Sequence, residues 1–145
     1  MSTSADNSGG ETRENELARG AERLANRSQL DFDIEFFGRI LERSPLYLDV
    51  LRCQAPLLSR KGLHALALEV EHRLVALLPL DGVAHYNLAC RLALAQQPRE
   101  AVGELRLALE CGYDDFEYLE SDADLESVRR QPEYLQLLRQ FGVTG

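Results

Sequence analysis

The chain has 145 residues, one domain's length, and carries 24 acidic against 16 basic side chains for a net charge of −8. That balance excludes a general nucleic-acid binder, which needs a basic surface to meet phosphate, and no stretch approaches the roughly 18 uncharged apolar residues of a membrane span. Leu occurs 27 times and Ala 15 times, whereas Val, Ile and Thr together occur 12 times, so helix is favoured and a large sheet core is excluded.

Residues 1–28 are polar and hold no Phe, Tyr, Ile or Val. Such a segment buries too little apolar surface to offset its ordering entropy and is expected to stay disordered. Leu17, Ala21, Leu24 and Ala25 leave a frayed helix over 11–25 open, with a narrow stripe that Gly20 interrupts. Its first ten residues have neither the basic start nor the apolar run of a secretory signal. Cys53, Cys90 and Cys111 are an odd set at no ligand-like spacing. Reduced thiols in a cytoplasmic protein are the expectation.

From Leu30 the pattern changes. Phe32, Phe36, Phe37, Ile40 and Leu41 mark one face of a helix, with Asp31 and Asp33 as candidate caps and Pro45 as its stop. Helices over 48–60 and 63–77 follow, separated by Lys61 and Gly62, where a left-handed glycine suits the turn. Pro79 stops the second. A further pair over 83–95 and 99–110 repeats the plan, with Pro98 at a first helical position where a missing N–H costs nothing. Short turns between successive helices predict antiparallel neighbours.

Self-comparison gives a period of 34. Pro45 and Pro79, Ala67 and Ala101, and Pro98 and Pro132 are each 34 apart, as are Leu41, Val75 and Leu109 in succession. Helix pairs of this period cannot bury their apolar faces alone and stack into a solenoid. Counting Leu48 and Gly82 as position 1, residues 82–115 place Leu88, Ala89 and Leu92 at positions 7, 8 and 11, and Ala101, Leu105 and Ala108 at 20, 24 and 27. In this the chain resembles the tetratricopeptide repeat (TPR) family, in which small residues at positions 8 and 20 let paired helices approach. Residues 48–81 match at Ala55, Leu58, Gly62, Ala67 and Pro79. They depart at Glu71, where a large apolar residue is expected, and at Pro56, which should kink or split its helix.

The resemblance implies an all-α, TPR-type α-solenoid of antiparallel helix pairs. It has a partial repeat over 30–47, repeats over 48–81 and 82–115, and capping helices over 116–142, as in short bacterial arrays. The cap should comprise a two-turn helix near 114–120 and short helices over 122–130 and 132–140. Its charge agrees with a polar outer face, since residues 110–140 hold nine acids and three bases.

Chemistry-bearing patterns are few. His64, His72 and His85 include no pair four apart, so no zinc-binding helix is expected, and each reads as a surface or half-buried residue. Asp122, Asp124, Glu126 and Glu133 mimic a calcium loop, but Ser127 stands where that loop needs Gly. Asp122 or Ser121 as a helix cap explains the same residues. Cys90 and His85 lie five apart and do not face each other. No catalytic, cofactor or metal residue is therefore assigned, and the chain is expected not to be an enzyme.

The resemblance places the functional surface on the first helices of the repeats, which line the concave groove. The groove positions here are Asp49, Arg52, Cys53, Pro56, Ser59 and Arg60, then Val83, Tyr86, Asn87, Cys90, Ala93 and Leu94. Asp49, Arg52, Ser59, Arg60, Tyr86, Asn87 and Cys90 are the candidate protein-binding residues. Tyr86 is expected in the groove as a flat contact with a polar tip, whereas Asn87 fits groove and packing equally. Pro56 replaces the Asn, and no Lys is present, of the family's clamp for chaperone C-termini. The expected partner is a protein or peptide of unstated identity. The alternative is a structural protein that self-associates as a homodimer through its repeat ends.

Overall fold

A computed structural model describes the backbone of residues 8–143 and the side chains of 12–25 and 29–143. Among the described residues there are eight α-helices and a 3-10 turn, with no strand. Helix α1 spans Ser8–Arg43, α2 Leu48–Arg60, α3 His64–Leu77, α4 Gly82–Leu94 and α5 Pro98–Glu110. The cap follows as α6 (Phe116–Ser121), a 3-10 turn (Ala123–Leu125), α7 (Glu126–Arg129) and α8 (Pro132–Gln140).

The repeated cap chemistry sets the helix ends. After α2, α4, α5 and α8 the chain makes the same turn, with one residue at positive φ: Gly62, Gln96, Gly112 and Gly142. The next N–H then reaches back five residues, as in Leu63 to Leu58 and Gln97 to Leu92, satisfying a carbonyl that the helix leaves free. At the other end, Asp81 caps α4 by accepting from Val83 and Ala84 N–H, and Asp115 caps α6 by accepting from Tyr118 N–H. Asp122 caps the 3-10 turn by accepting from Asp124 N–H, the capping role expected of it.

The small residues at positions 8 and 20 do what close helix packing requires. Ala55, Ala67, Ala89 and Ala101 are all buried between the paired helices. Among the described residues the buried apolar side chains form two clusters. One joins α1, α2 and α3 through Leu41, Leu51, Leu58 and Leu74. The other joins α4, α5 and the cap through Leu88, Leu105, Leu119, Leu125 and Leu137.

One expectation needs correction. The boundary at residue 28 is absent, because α1 continues back to Ser8 as a single helix. Asp31 and Asp33 are therefore mid-helix: Asp31 pairs with Lys61 on the turn after α2, and Asp33 accepts from Gln29. Once the downstream turns are formed, each added residue gains a backbone hydrogen bond without a new nucleation cost, and the Glu, Arg, Ala and Leu of this stretch favour helix. From Thr12 to Ala25 the side chains are exposed apart from Gly20, consistent with their lack of a core face. The first seven residues of that expected polar segment lie outside the described residues. Of the two outcomes expected at Pro56, a kink or a split, the helix is not split: α2 runs through it.

Candidate functional site

The first helices of the two repeats, α2 and α4, both pack on α3. They leave a cleft of about 430 Å³, lined among others by Arg52, Pro56, Val83, Asn87 and Arg91. Its floor is polar and organised. Glu71, the residue out of pattern in the first repeat, is buried on α3 with its carboxylate 3.7 Å from Arg91 Nε on α4. Arg91 also donates to Ser59 Oγ on α2 at 2.9 Å. Burial pushes the Glu71 carboxyl above its usual value, and the Arg91 guanidinium opposes that rise only in part. At the rim, Arg52 lies 3.8 Å from Asp81 and 3.9 Å from Asp49, pairs held loosely in solvent.

The expected groove residues therefore divide. Asp49, Arg52, Arg60 and Asn87 are exposed, and Ser59 is half-buried beneath Arg91. Arg52 and Asn87 line the same cleft. Tyr86 and Cys90 do not face an open groove. The cap folds back over α4, leaving Tyr86 4% and Cys90 7% exposed. The Tyr86 hydroxyl donates to Asp122 Oδ2 at 2.5 Å, and its ring stacks on Tyr113 with centroids 4.3 Å apart. Cys90 Sγ approaches the same carboxylate oxygen at 3.7 Å.

These contacts also define what the buried groups can do chemically. Burial, reinforced by Asp122, pushes the Cys90 thiol up to about 12, so it stays protonated and is a poor nucleophile at neutral pH. Burial and the Asp122 bond likewise raise Tyr86 above the ordinary phenol value. Cys90, Asp122 and Asp124 bring their ligand atoms within 4.8 Å of one another. However, both Asp122 oxygens already accept hydrogen bonds, from Tyr86, Cys90 and the Asp124 N–H, so this donor set fits a hydrogen-bonded core better than a cation.

His85 is buried, not the surface or half-buried residue expected. Its Nδ1 lies 2.7 Å from Glu104 Oε2 on α5 and its Nε2 lies 2.7 Å from the Pro79 carbonyl, so both ring nitrogens face acceptors. Burial alone would lower its pKa, but the bonds to Glu104 and Pro79 outweigh it and the net shift is upward. Local spacing did not reveal Arg91 as part of the cleft. The available signal was Glu71, a carboxylate at a core position that calls for a buried cation.

The architecture is an all-α, TPR-type helical solenoid with a cleft between successive first helices. No family model matches the chain. Over 59 residues it is 41% identical to a chloroplastic protein of Arabidopsis thaliana, covering 41% of this chain and 18% of that protein, so it spans less than a fifth of that relative. Among solved structures it is similar to MamA, residues 41 to the end, from Desulfovibrio magneticus RS-1, with a TM-score of 0.55 and 18% identity over 80% of this chain and 68% of the other. A MamA RS-1 double mutant gives a TM-score of 0.55 at 19% identity, over 81% and 70% of the respective chains. At these identities the likeness is one of fold. No helix among the described residues is long and apolar enough to cross a membrane.

Proposed function

We propose that this chain is a non-enzymatic interaction module that holds a segment of a partner protein in the cleft between α2 and α4. The observation that carries the reading is the cleft itself. Exposed Arg52, Asn87 and Val83 form its rim, while its floor is anchored by buried Glu71 and half-buried Arg91. A concave site with an apolar edge and a few fixed polar groups suits an extended or helical peptide. Asp49, Arg52, Ser59, Arg60 and Asn87 are the proposed contact set, whereas Tyr86 and Cys90 position α4 from behind through Asp122. Buried partners for both Tyr86 and Cys90, and the raised Cys90 thiol, support a non-catalytic role.

The test is quantitative co-purification of wild type, Arg52→Glu plus Val83→Glu, and Arg99→Glu on the second helix of the same repeat. Partners held in the cleft are lost from the first variant and retained by the control. An unchanged set of proteins across all three would reject the cleft. A second reading, self-association, is favoured by the bare outer face of α1.

A further inference from the structure

Helix α1 is apolar on two opposite faces. Ile34, Phe37, Ile40 and Leu41 pack on α2 and α3. At about 100° per residue, Leu17, Ala21, Leu24, Ala25, Phe32 and Phe36 fall on the other side as one stripe roughly 30 Å long. Among the described residues nothing covers it: Leu17 is 73% exposed, Leu24 68%, Phe32 62% and Phe36 51%. Phe32 and Phe36 stack on each other in the open, with centroids 6.2 Å apart.

We propose that a second copy of this chain covers that face, with the two α1 helices packed antiparallel through their outer stripes. The stripe is self-complementary in this direction only. Its N-terminal half is small or slender, with Ala21 and Leu17, and its C-terminal half is bulky, with Phe32 and Phe36. An antiparallel register that sets Leu17 against Phe36 also sets Ala21 against Phe32 and Glu14 against Arg39. Glu14 and Arg39 lie on the same side of the helix as the stripe and both are exposed, Arg39 also pairing with Glu35 on its own helix at 2.6 Å. A two-fold axis near the middle of α1 closes the assembly at a dimer, because each copy gives and receives the same surface. It also explains an arm of polar helix with no core face of its own, since a lone helix of this length is marginal in water.

The test is sedimentation equilibrium of the full chain from about 1 to about 100 µM, with circular dichroism of every variant as the check on folding. The wild type is expected to dimerise. Phe32→Glu plus Phe36→Glu is expected to weaken the dimer at least about a hundredfold with helicity retained. Glu14→Arg is expected to weaken it too, and adding Arg39→Glu to that variant restores it, because the exchanged charges meet across the axis. A wild type that stays monomeric throughout overturns the proposal and leaves the face to a different partner. A dimer indifferent to the Phe changes places the interface elsewhere. Loss on Glu14→Arg without restoration by the second change rejects the antiparallel register. None of these variants touches the α2–α4 cleft, so the outcome is independent of the partner-binding reading.

Discussion

His85 presents both ring nitrogens to acceptors, an arrangement that only the doubly protonated imidazole satisfies in full. Its folded pKa lies above the ordinary histidine value, with Glu104 and Asp81 as the facing charges. The stabilisation is therefore complete below the unfolded pKa of about 6.5 and is lost as pH rises through the folded value. The urea-melt gap between wild type and His85→Gln should be wider at about pH 5.5 than at about pH 8.5; a gap independent of pH would remove the imidazolium from the account. Ala101 and Glu100 test register one residue apart. Ala101 is fully buried in one cluster with Leu88, Ala89 and Leu92, whereas Glu100 is exposed. Ala101→Leu should overpack the pair and cost roughly 1–3 kcal/mol, and Glu100→Ala should stay within about 0.5 kcal/mol. Equal effects in urea melts would contradict the helix pairing. Both placements follow from the 34-residue spacing, because position 20 is a local property of one helix pair. The burial of Tyr86 was not legible in that way: its cover comes from Asp122, 36 residues on, and no periodicity within α4 announces it.

At the level of elements, four helices end in the same turn, and three of them use glycine at the positive-φ residue. Gln96 occupies the fourth at φ 63, where a side chain crowds the backbone. Gln96→Gly should therefore stabilise the α4–α5 pair by roughly 0.5–1 kcal/mol, read as a higher urea midpoint at unchanged slope; a lower midpoint would show that the Gln96 side chain makes a compensating contact. The glycine at Gly62 and the prolines at Pro45, Pro79, Pro98 and Pro132 make most helix ends legible, since each acts through its own backbone. The start of α1 was not legible. Residues 8–28 lack a core face, which reads as disorder, yet they are joined to a helix already nucleated by packing at Phe37 and Leu41.

At the scale of the molecule, the described residues form two apolar clusters joined at α3 and α4, and the junction carries the polar set of Ser59, Glu71 and Arg91. Arg91→Ala leaves Glu71 buried without its cation and should cost roughly 2–4 kcal/mol. Glu71→Leu combined with Arg91→Met should recover most of that loss, because paired charges removed together leave no unmatched group. Equal destabilisation by the single and double variants in urea melts would mean that the pair acts through shape and not charge. The same junction shapes the cleft, so stability and the proposed binding meet at α2 and α4. The most direct measurement is amide hydrogen exchange on the chain alone and with the partner that the wild type retains on purification. The account predicts new protection within residues 48–60 and 82–94, with the cap over 116–140 unchanged. Protection confined to the cap, with α2 and α4 exchanging as before, would contradict it.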